Sequence, residues 1–390
     1  MKRIHLMTIA LVAVASTAAT AAKNTSPATS LSDLGMTFEK ARQLGAVERS
    51  ETLNDLDARI AAMLGDLDGS QKAAAYFLSG EIRFANGRYD DATNAFRSSA
   101  SQAGDAPLGA DALLAQIQSE AAAGRSDQAE REWRDWLKVN GGTNAASDAL
   151  LSRAWNAIRR DSVSLADATL KEARTRFPWI ARDPRFDLAS STTAFLEGRY
   201  ADVHAQPSGS PLDAACVYLQ ALNDEASKRP LQAAAHYQAV VDKYNDPHLR
   251  DIAMLAKANV FLKSASYKSA AEEFANVASK AQDPAVQAEA KLRGAAATYL
   301  TGDKEGGADA LRNVTSEYDG SPVAARAQAV LGEVLYQSGQ YDQAIVEFNK
   351  VLTRYFQHKL ASLAQYRVGR CLDALGRENE ATSAYQAVVS

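Results

Sequence analysis

The sequence predicts an all-α solenoid of about nine antiparallel helix hairpins, and three observations carry that prediction. A small residue returns every 37 positions: Ala92, Ala129, Ala166 and Val203, then, after one step of 30, Ala233, Ala270, Gly307, Ala344 and Ala381. Five residues before it a glycine recurs, at Gly87, Gly124, Gly198, Gly302, Gly339 and Gly376, with Asp161, Lys228 and Ala265 in the other copies. Four residues after it stands a large apolar side chain in every copy but one. Glycine tolerates the positive φ of a tight turn. A small residue lets two helices approach, and the bulky residue one turn later fills the groove between them. A hairpin cannot bury its apolar face alone, so such units must stack.

Taken in order, the chain opens with Lys2 and Arg3 before an apolar run from Ile4 to Ala15, followed by Ala19, Thr20 and Ala21. This is the layout of a secretory signal peptide over residues 1–22, with cleavage after Ala21 or Ala22. The apolar core is too short to span a bilayer, which needs about 20 residues. Residues 23–32 are polar and rich in Ser and Thr, and read as a flexible tether. Between Leu53 and Met63 apolar residues recur over little more than a heptad pair.

The hairpins follow. The first turns at Gly87 and packs Phe96, the second turns at Gly124 and packs Trp133, and the third turns at Asp161 and packs Leu170. In the fourth, Pro207 stands where the bulky residue belongs and Pro211 follows, so its second helix can hold barely one turn. That defect, at 203–211, is read as the boundary between sub-arrays 33–206 and 207–390, either as an articulation or as a sequence variation without mechanical consequence. The remaining five pack Tyr237, Phe274, Leu311, Phe348 and Tyr385, and add a valine three residues later at Val240, Val277, Val314, Val351 and Val388. Ser321 with Pro322, and Asp283 with Pro284, read as an N-cap followed by proline in the first helical position. The last repeat reads as incomplete at Ser390, with no capping helix expected after it.

These residues resemble the tetratricopeptide repeat, best from Pro322 to Phe356, where Leu331 and Gly332 in the first helix precede Gly339, Tyr341, Ala344 and Phe348. The resemblance covers roughly 320 residues. It implies a right-handed superhelix whose first helices line the concave face. The lengthened period and the proline starts look most like bacterial envelope proteins of the BamD and CpoB (YbgF) kind. One variant of the family clamps a C-terminal carboxylate with a Lys and an Asn in the first helix. Here the Lys place holds Phe77, Leu114, Leu151, Leu188, Tyr218, Leu255, Leu292, Ala329 and Tyr366, and the Asn place holds an Asn only at Asn259, which argues against that use.

Composition and motifs exclude several function classes. Lys plus Arg number 43 against 47 Asp plus Glu, a net charge of −4 that becomes −6 without Lys2 and Arg3, so no basic surplus serves nucleic acid. No later apolar run could span a membrane. The only cysteines, Cys216 and Cys371, lie about four repeats apart, too far to bridge, and read as buried small apolar residues; neither is placed to carry a lipid anchor. His204, His236, His248 and His358 are scattered, with no metal-ligand spacing. No nucleophile elbow or phosphate loop occurs, and Gly306 with Gly307 lacks phosphate-binding features. No catalytic set, cofactor site or metal site is expected.

What remains is surface. Trp155, Phe195, Tyr299, Glu333, Tyr336, Tyr366 and Arg370 are the candidates to line a protein-binding groove, being of the types that dominate interface energetics. The expected function is a soluble, periplasmic, non-enzymatic scaffold that holds an envelope protein or an extended peptide. By resemblance, its business would be outer-membrane assembly or the coordination of envelope constriction at division. A gliding or pilus accessory scaffold would differ only in its client. The alternative is the helical, non-catalytic region of a longer peptidoglycan-lytic enzyme whose catalytic domain follows Ser390.

Overall fold

A computed structural model of the protein describes residues 29–42, 44, 46–244 and 249–389, and these form nineteen α-helices with no strand among the described residues. The expected signal peptide, with its cleavage position at Ala21 or Ala22, lies outside them, as do Pro247, His248 and Ser390. Helix α1 (Thr29–Ala41) starts inside the stretch expected to be a tether, because Leu31, Leu34 and Phe38 give it an apolar stripe that is buried. That stripe packs on Leu53, Leu56 and Ile60 of α2 (Ala46–Met63), so the short heptad pattern belongs to an extra N-terminal hairpin.

Hairpins on the 37-residue beat follow. They are α3 (Gly69–Ala85) with α4 (Tyr89–Ala103), α5 (Pro107–Ala122) with α6 (Ser126–Asn140), and α7 (Ala145–Arg159) with α8 (Val163–Arg176). Next come α9 (Pro184–Leu196), α10 (Asp213–Ala226) and α11 (Pro230–Ala239). The last four pairs are α12 (Arg250–Lys263) with α13 (Tyr267–Lys280), α14 (Pro284–Leu300) with α15 (Lys304–Glu317), α16 (Pro322–Gln337) with α17 (Tyr341–Arg354), and α18 (Ala361–Ala374) with α19 (Glu378–Val389). Two compact units divide the chain. One holds the described residues of Met1–Ser227 and of Tyr244–Leu249; the other holds Lys228–Lys243 and the described residues of Arg250–Ser390. The division thus falls between α10 and α11, one helix later than the expected boundary at 206/207.

The turn column is obeyed more widely than its glycines suggest. Gly87, Gly124, Gly198, Gly302, Gly339 and Gly376 have φ between 72° and 103°, and Asp161, Lys228 and Ala265 adopt φ of 61°, 59° and 56° in the same place. Conformation at this position is therefore set by the hairpin, and a side chain there carries the steric cost of the left-handed region. The small column is equally strict: Ala92, Ala129, Ala166, Ala233, Ala270 and Ala344 are fully buried. A Cβ added at Gly307 would stand 2.6 Å from the Tyr299 backbone nitrogen.

Opposite three of the bulky residues the first helix also thins. A Cβ added at Gly80, Gly332 or Gly369 would fall 2.6, 2.7 or 2.4 Å from the rings of Phe96, Phe348 and Tyr385 respectively. Prolines cap as expected: Ser321 Oγ accepts from the Ala324 amide at 3.2 Å, and Asp283 Oδ1 accepts from that of Ala285 at 2.8 Å. Successive first helices are tied at one register, Asp148 to Arg185 at 2.8 Å and Glu289 to Arg326 at 2.6 Å.

The defective repeat holds a single 3₁₀ turn, Tyr200–Asp202, where a second helix would stand. The strap that follows is fastened within its unit. The amides of His204 and Ala205 donate to Ser191 Oγ at 3.1 and 2.9 Å, and Gln220 Nε2 donates to the Ala205 carbonyl at 2.7 Å. Asp213 collects the amides of Ser208, Gly209 and Ser210 at its carboxylate. The strap is therefore pinned to α9 and α10. Cys216 and Cys371 are buried free thiols, pushed up by burial to about 12 and about 11.

Two substitutions probe this register by denaturant unfolding. Phe348→Ala removes the filling of one groove and is expected to cost about 3–5 kcal/mol; an unchanged unfolding midpoint would contradict the packing. Ala265→Gly relieves a left-handed side chain and is expected to stabilise by about 1 kcal/mol, whereas a loss of similar size would mean that the turn is not left-handed.

Candidate protein-binding face

Four of the seven candidate residues converge, all in the second unit. Glu333 and Tyr336 lie one turn apart on α16, and Tyr366 and Arg370 one turn apart on α18. Arg370 spans the two helices, its Nη1 donating to the Tyr366 phenol oxygen at 3.4 Å and its Nη2 to that of Tyr336 at 3.3 Å. Each phenol is backed by a second-helix tyrosine: the Tyr336 and Tyr341 ring centroids are 5.4 Å apart, those of Tyr366 and Tyr385 5.7 Å. Both partners sit on hairpin positions fixed by the repeat, so the fold positions the aromatic frame.

Arg367 was not among the sequence candidates. It pairs with Glu333 at 2.9 Å, and its guanidinium lies 5.9 Å from the Tyr336 ring centroid, a cation–π contact. Arg370 is exposed and has no carboxylate within salt-bridge distance among the described residues. Its hydrogen bond to the Tyr366 phenol, and then the proximity of Tyr336, raise its already high pKa. Leu363, half exposed at 49%, extends the α18 side of the face by one more turn. A leucine among other apolar residues gives no sequence signal of this kind; only its spacing of three and seven from Tyr366 and Arg370 does.

The other three candidates are core residues. Trp155 is 0% exposed, Phe195 4% and Tyr299 8%. Tyr299 closes the stack instead, its phenol meeting the Val334 carbonyl at 3.2 Å and Ser338 Oγ at 2.9 Å. Phe195 packs on Tyr200, with ring centroids 5.7 Å apart, beside the start of the strap. The column that holds Glu333 and Arg370 holds Glu81, Gln118, Trp155 and Thr192 in the first unit, and all four are buried. Register assigns a side chain to a face of its helix but not the depth at which that face lies.

Glu81 shows what that burial does. It is 3% exposed, and neither carboxylate oxygen has a hydrogen-bond partner. Burial pushes its carboxyl from the ordinary 4.5 up to about 8, against the pull of Arg42. A concavity between α13 and α15 over α14 is lined largely by small residues such as Ala271, Ala275, Ala290 and Gly294, with the Lys291–Glu317 ion pair on its lining. It presents no comparable set of polar groups.

The tetratricopeptide repeat family pattern matches residues 77–135 and 299–356, the second stretch containing Glu333 and Tyr336. Over these two stretches the chain therefore matches the tetratricopeptide repeat pattern, within an all-α fold. Among solved structures, the apo form of RapI matches at a TM-score of 0.51 and 9% identity, over 92% of this chain and 96% of that one, a likeness of fold. A tetratricopeptide repeat protein from Parabacteroides merdae matches at 0.43 and 16% identity, over 67% of this chain and 98% of that one. A chain of the APC/C hetero-tetramer Cut9–Hcn1 matches at 0.44 and 15% identity; 84% of this chain aligns, spanning 62% of that one. No curated protein sequence matches the chain.

The Glu81 carboxyl makes stability depend on pH. The folded chain holds this proton more tightly than the unfolded chain, so its contribution is complete below pH 4.5 and is lost as pH rises through 8. Glu81→Gln, which cannot ionise, is expected to flatten this part of the profile, gaining several degrees in melting temperature relative to wild type between those limits. Parallel profiles for the two proteins would place the titration elsewhere.

Proposed function

We propose that this protein is an exported, non-catalytic scaffold of the bacterial cell envelope, and that it holds a client protein on the α16–α18 face. The observation that carries the reading is the convergence of Tyr336, Tyr366 and Arg370 at the surface of a tetratricopeptide repeat array. Tyrosine and arginine are over-represented among residues that dominate binding energy. Here they are held by the fold's own hairpins, so little ordering cost falls on binding. Residues 1–22 support export, since their basic start, apolar core and small-residue end are those of a signal peptide.

Within the envelope, the lengthened repeats and proline starts favour a role like that of BamD or CpoB, in outer-membrane assembly or in coordinating constriction. A net charge of −4 and the absence of a helix long and apolar enough to cross a membrane among the described residues agree with a client that is protein.

Site-specific photo-crosslinking in the source cell tests this directly. A photoreactive amino acid in place of Tyr336 is expected to give a discrete adduct to one envelope protein. The same group in place of Arg312, on second helix α15, should give none. Equal smears from both positions would remove the α16–α18 face as the binding surface.

A further inference from the structure

We infer that this face selects an extended acidic peptide segment, with a carboxylate seated on Arg370 and an apolar side chain on Leu363 about three residues away. The inference rests on the binding role proposed above for α16 and α18, and adds the chemistry of what binds.

The argument starts from two arginines on one helix. Arg367 is neutralised by Glu333 at 2.9 Å. Arg370, three residues on, meets only the phenol oxygens of Tyr336 and Tyr366 among the described residues. The chain has more acidic than basic residues, 47 against 43, so an unpaired exposed guanidinium is no by-product of a basic surface. A guanidinium carries five N–H donors and no acceptor. Two are spent on the phenols and the rest are free for a ligand. Each phenol oxygen accepts from Arg370, so its own O–H proton turns away from the arginine and becomes a further donor. A set of donors around a fixed positive charge, with no acceptor supplied, calls for an anion of carboxylate size, which guanidinium binds through paired charge-assisted bonds.

Spacing sets the second requirement. Leu363, Tyr366 and Arg370 stand at i, i+3 and i+7 on α18, with Leu363 and Tyr366 49% and 39% exposed. Seven residues of helix rise about 10.5 Å, which an extended peptide covers in about three residues at roughly 3.3 Å each. The ligand therefore places an acidic and an apolar residue three positions apart. A polyanion fits less well: Asp373, which accepts from the Tyr385 phenol, stands one turn from Arg370 and would repel further phosphates.

The test uses the full chain and a displayed library of random twelve-residue peptides. Selected peptides are expected to be enriched in Asp or Glu three positions from Leu, Ile or Phe. Arg370→Gln should weaken them by about tenfold or more, as loss of a charge-assisted contact does. Arg370→Lys should recover only part, since lysine keeps the charge but not the fork. Arg370 is exposed, and matched melting curves confirm the fold. Peptides without acidic enrichment that depend on Tyr336 and Leu363 but not on Arg370 would overturn the acidic requirement and leave the binding face standing. Failure to select any peptide, or selection of peptides indifferent to Arg370→Gln, Tyr336→Ala and Leu363→Ala alike, would overturn both. A labelled twelve-nucleotide oligouridine bound through Arg370 would overturn the inference in favour of nucleic acid.

Discussion

The structure depends on how closely two helices of a hairpin can approach. Bulk is removed from the contact, on both sides in three of the hairpins, so that one large side chain can occupy it. Alanines of the small column are fully buried, and glycines at 80, 332 and 369 lie against the rings of Phe96, Phe348 and Tyr385. Remaining features serve that approach. The left-handed turn reverses the chain in the fewest residues, the proline starts hold the next first helix to its beginning, and ion pairs 37 residues apart align successive first helices. Buried apolar contact supplies the energy, while half-exposed ion pairs add at most about 1 kcal/mol each.

The repeat was legible in the sequence because its constraints act on backbone and volume. Six glycines in the turn column were enough to find it, and Asp161, Lys228 and Ala265 looked like departures until their φ values placed them in the same conformation. The N-terminal hairpin was missed because Leu31 follows a polar, Ser- and Thr-rich stretch that reads as a tether, and because α1 and α2 lie outside the 37-residue columns. For the face, the types and register of Glu333, Tyr336, Tyr366 and Arg370 were informative. Trp155, Phe195 and Tyr299 share that chemistry but are buried. Their depth depends on how neighbouring hairpins overlie them, which no local pattern encodes.

One register thus does two jobs. In the first unit its side chains are interior, down to an unpartnered glutamate at 81 and an unpartnered Trp155 indole nitrogen. On α16 and α18 the same register reaches the surface, where a tyrosine frame orients one arginine. The repeat determines where a side chain stands, and the identity of that side chain determines whether it stabilises or displays.

The turn residues have a consequence for cooperativity. An array of repeats behaves as a line of units, each with an intrinsic stability and coupled only to its neighbours. Left-handed non-glycine turns at 161, 228 and 265, together with the repeat shortened to a strap at 203–212, fall in one central run. Each lowers the intrinsic term of its own unit, while the flanking hairpins turn on glycine. A line with weak units in its middle and strong ones toward both ends has two places from which order can spread. Such a chain would fold inward from two nuclei and lose its cooperativity first at the centre.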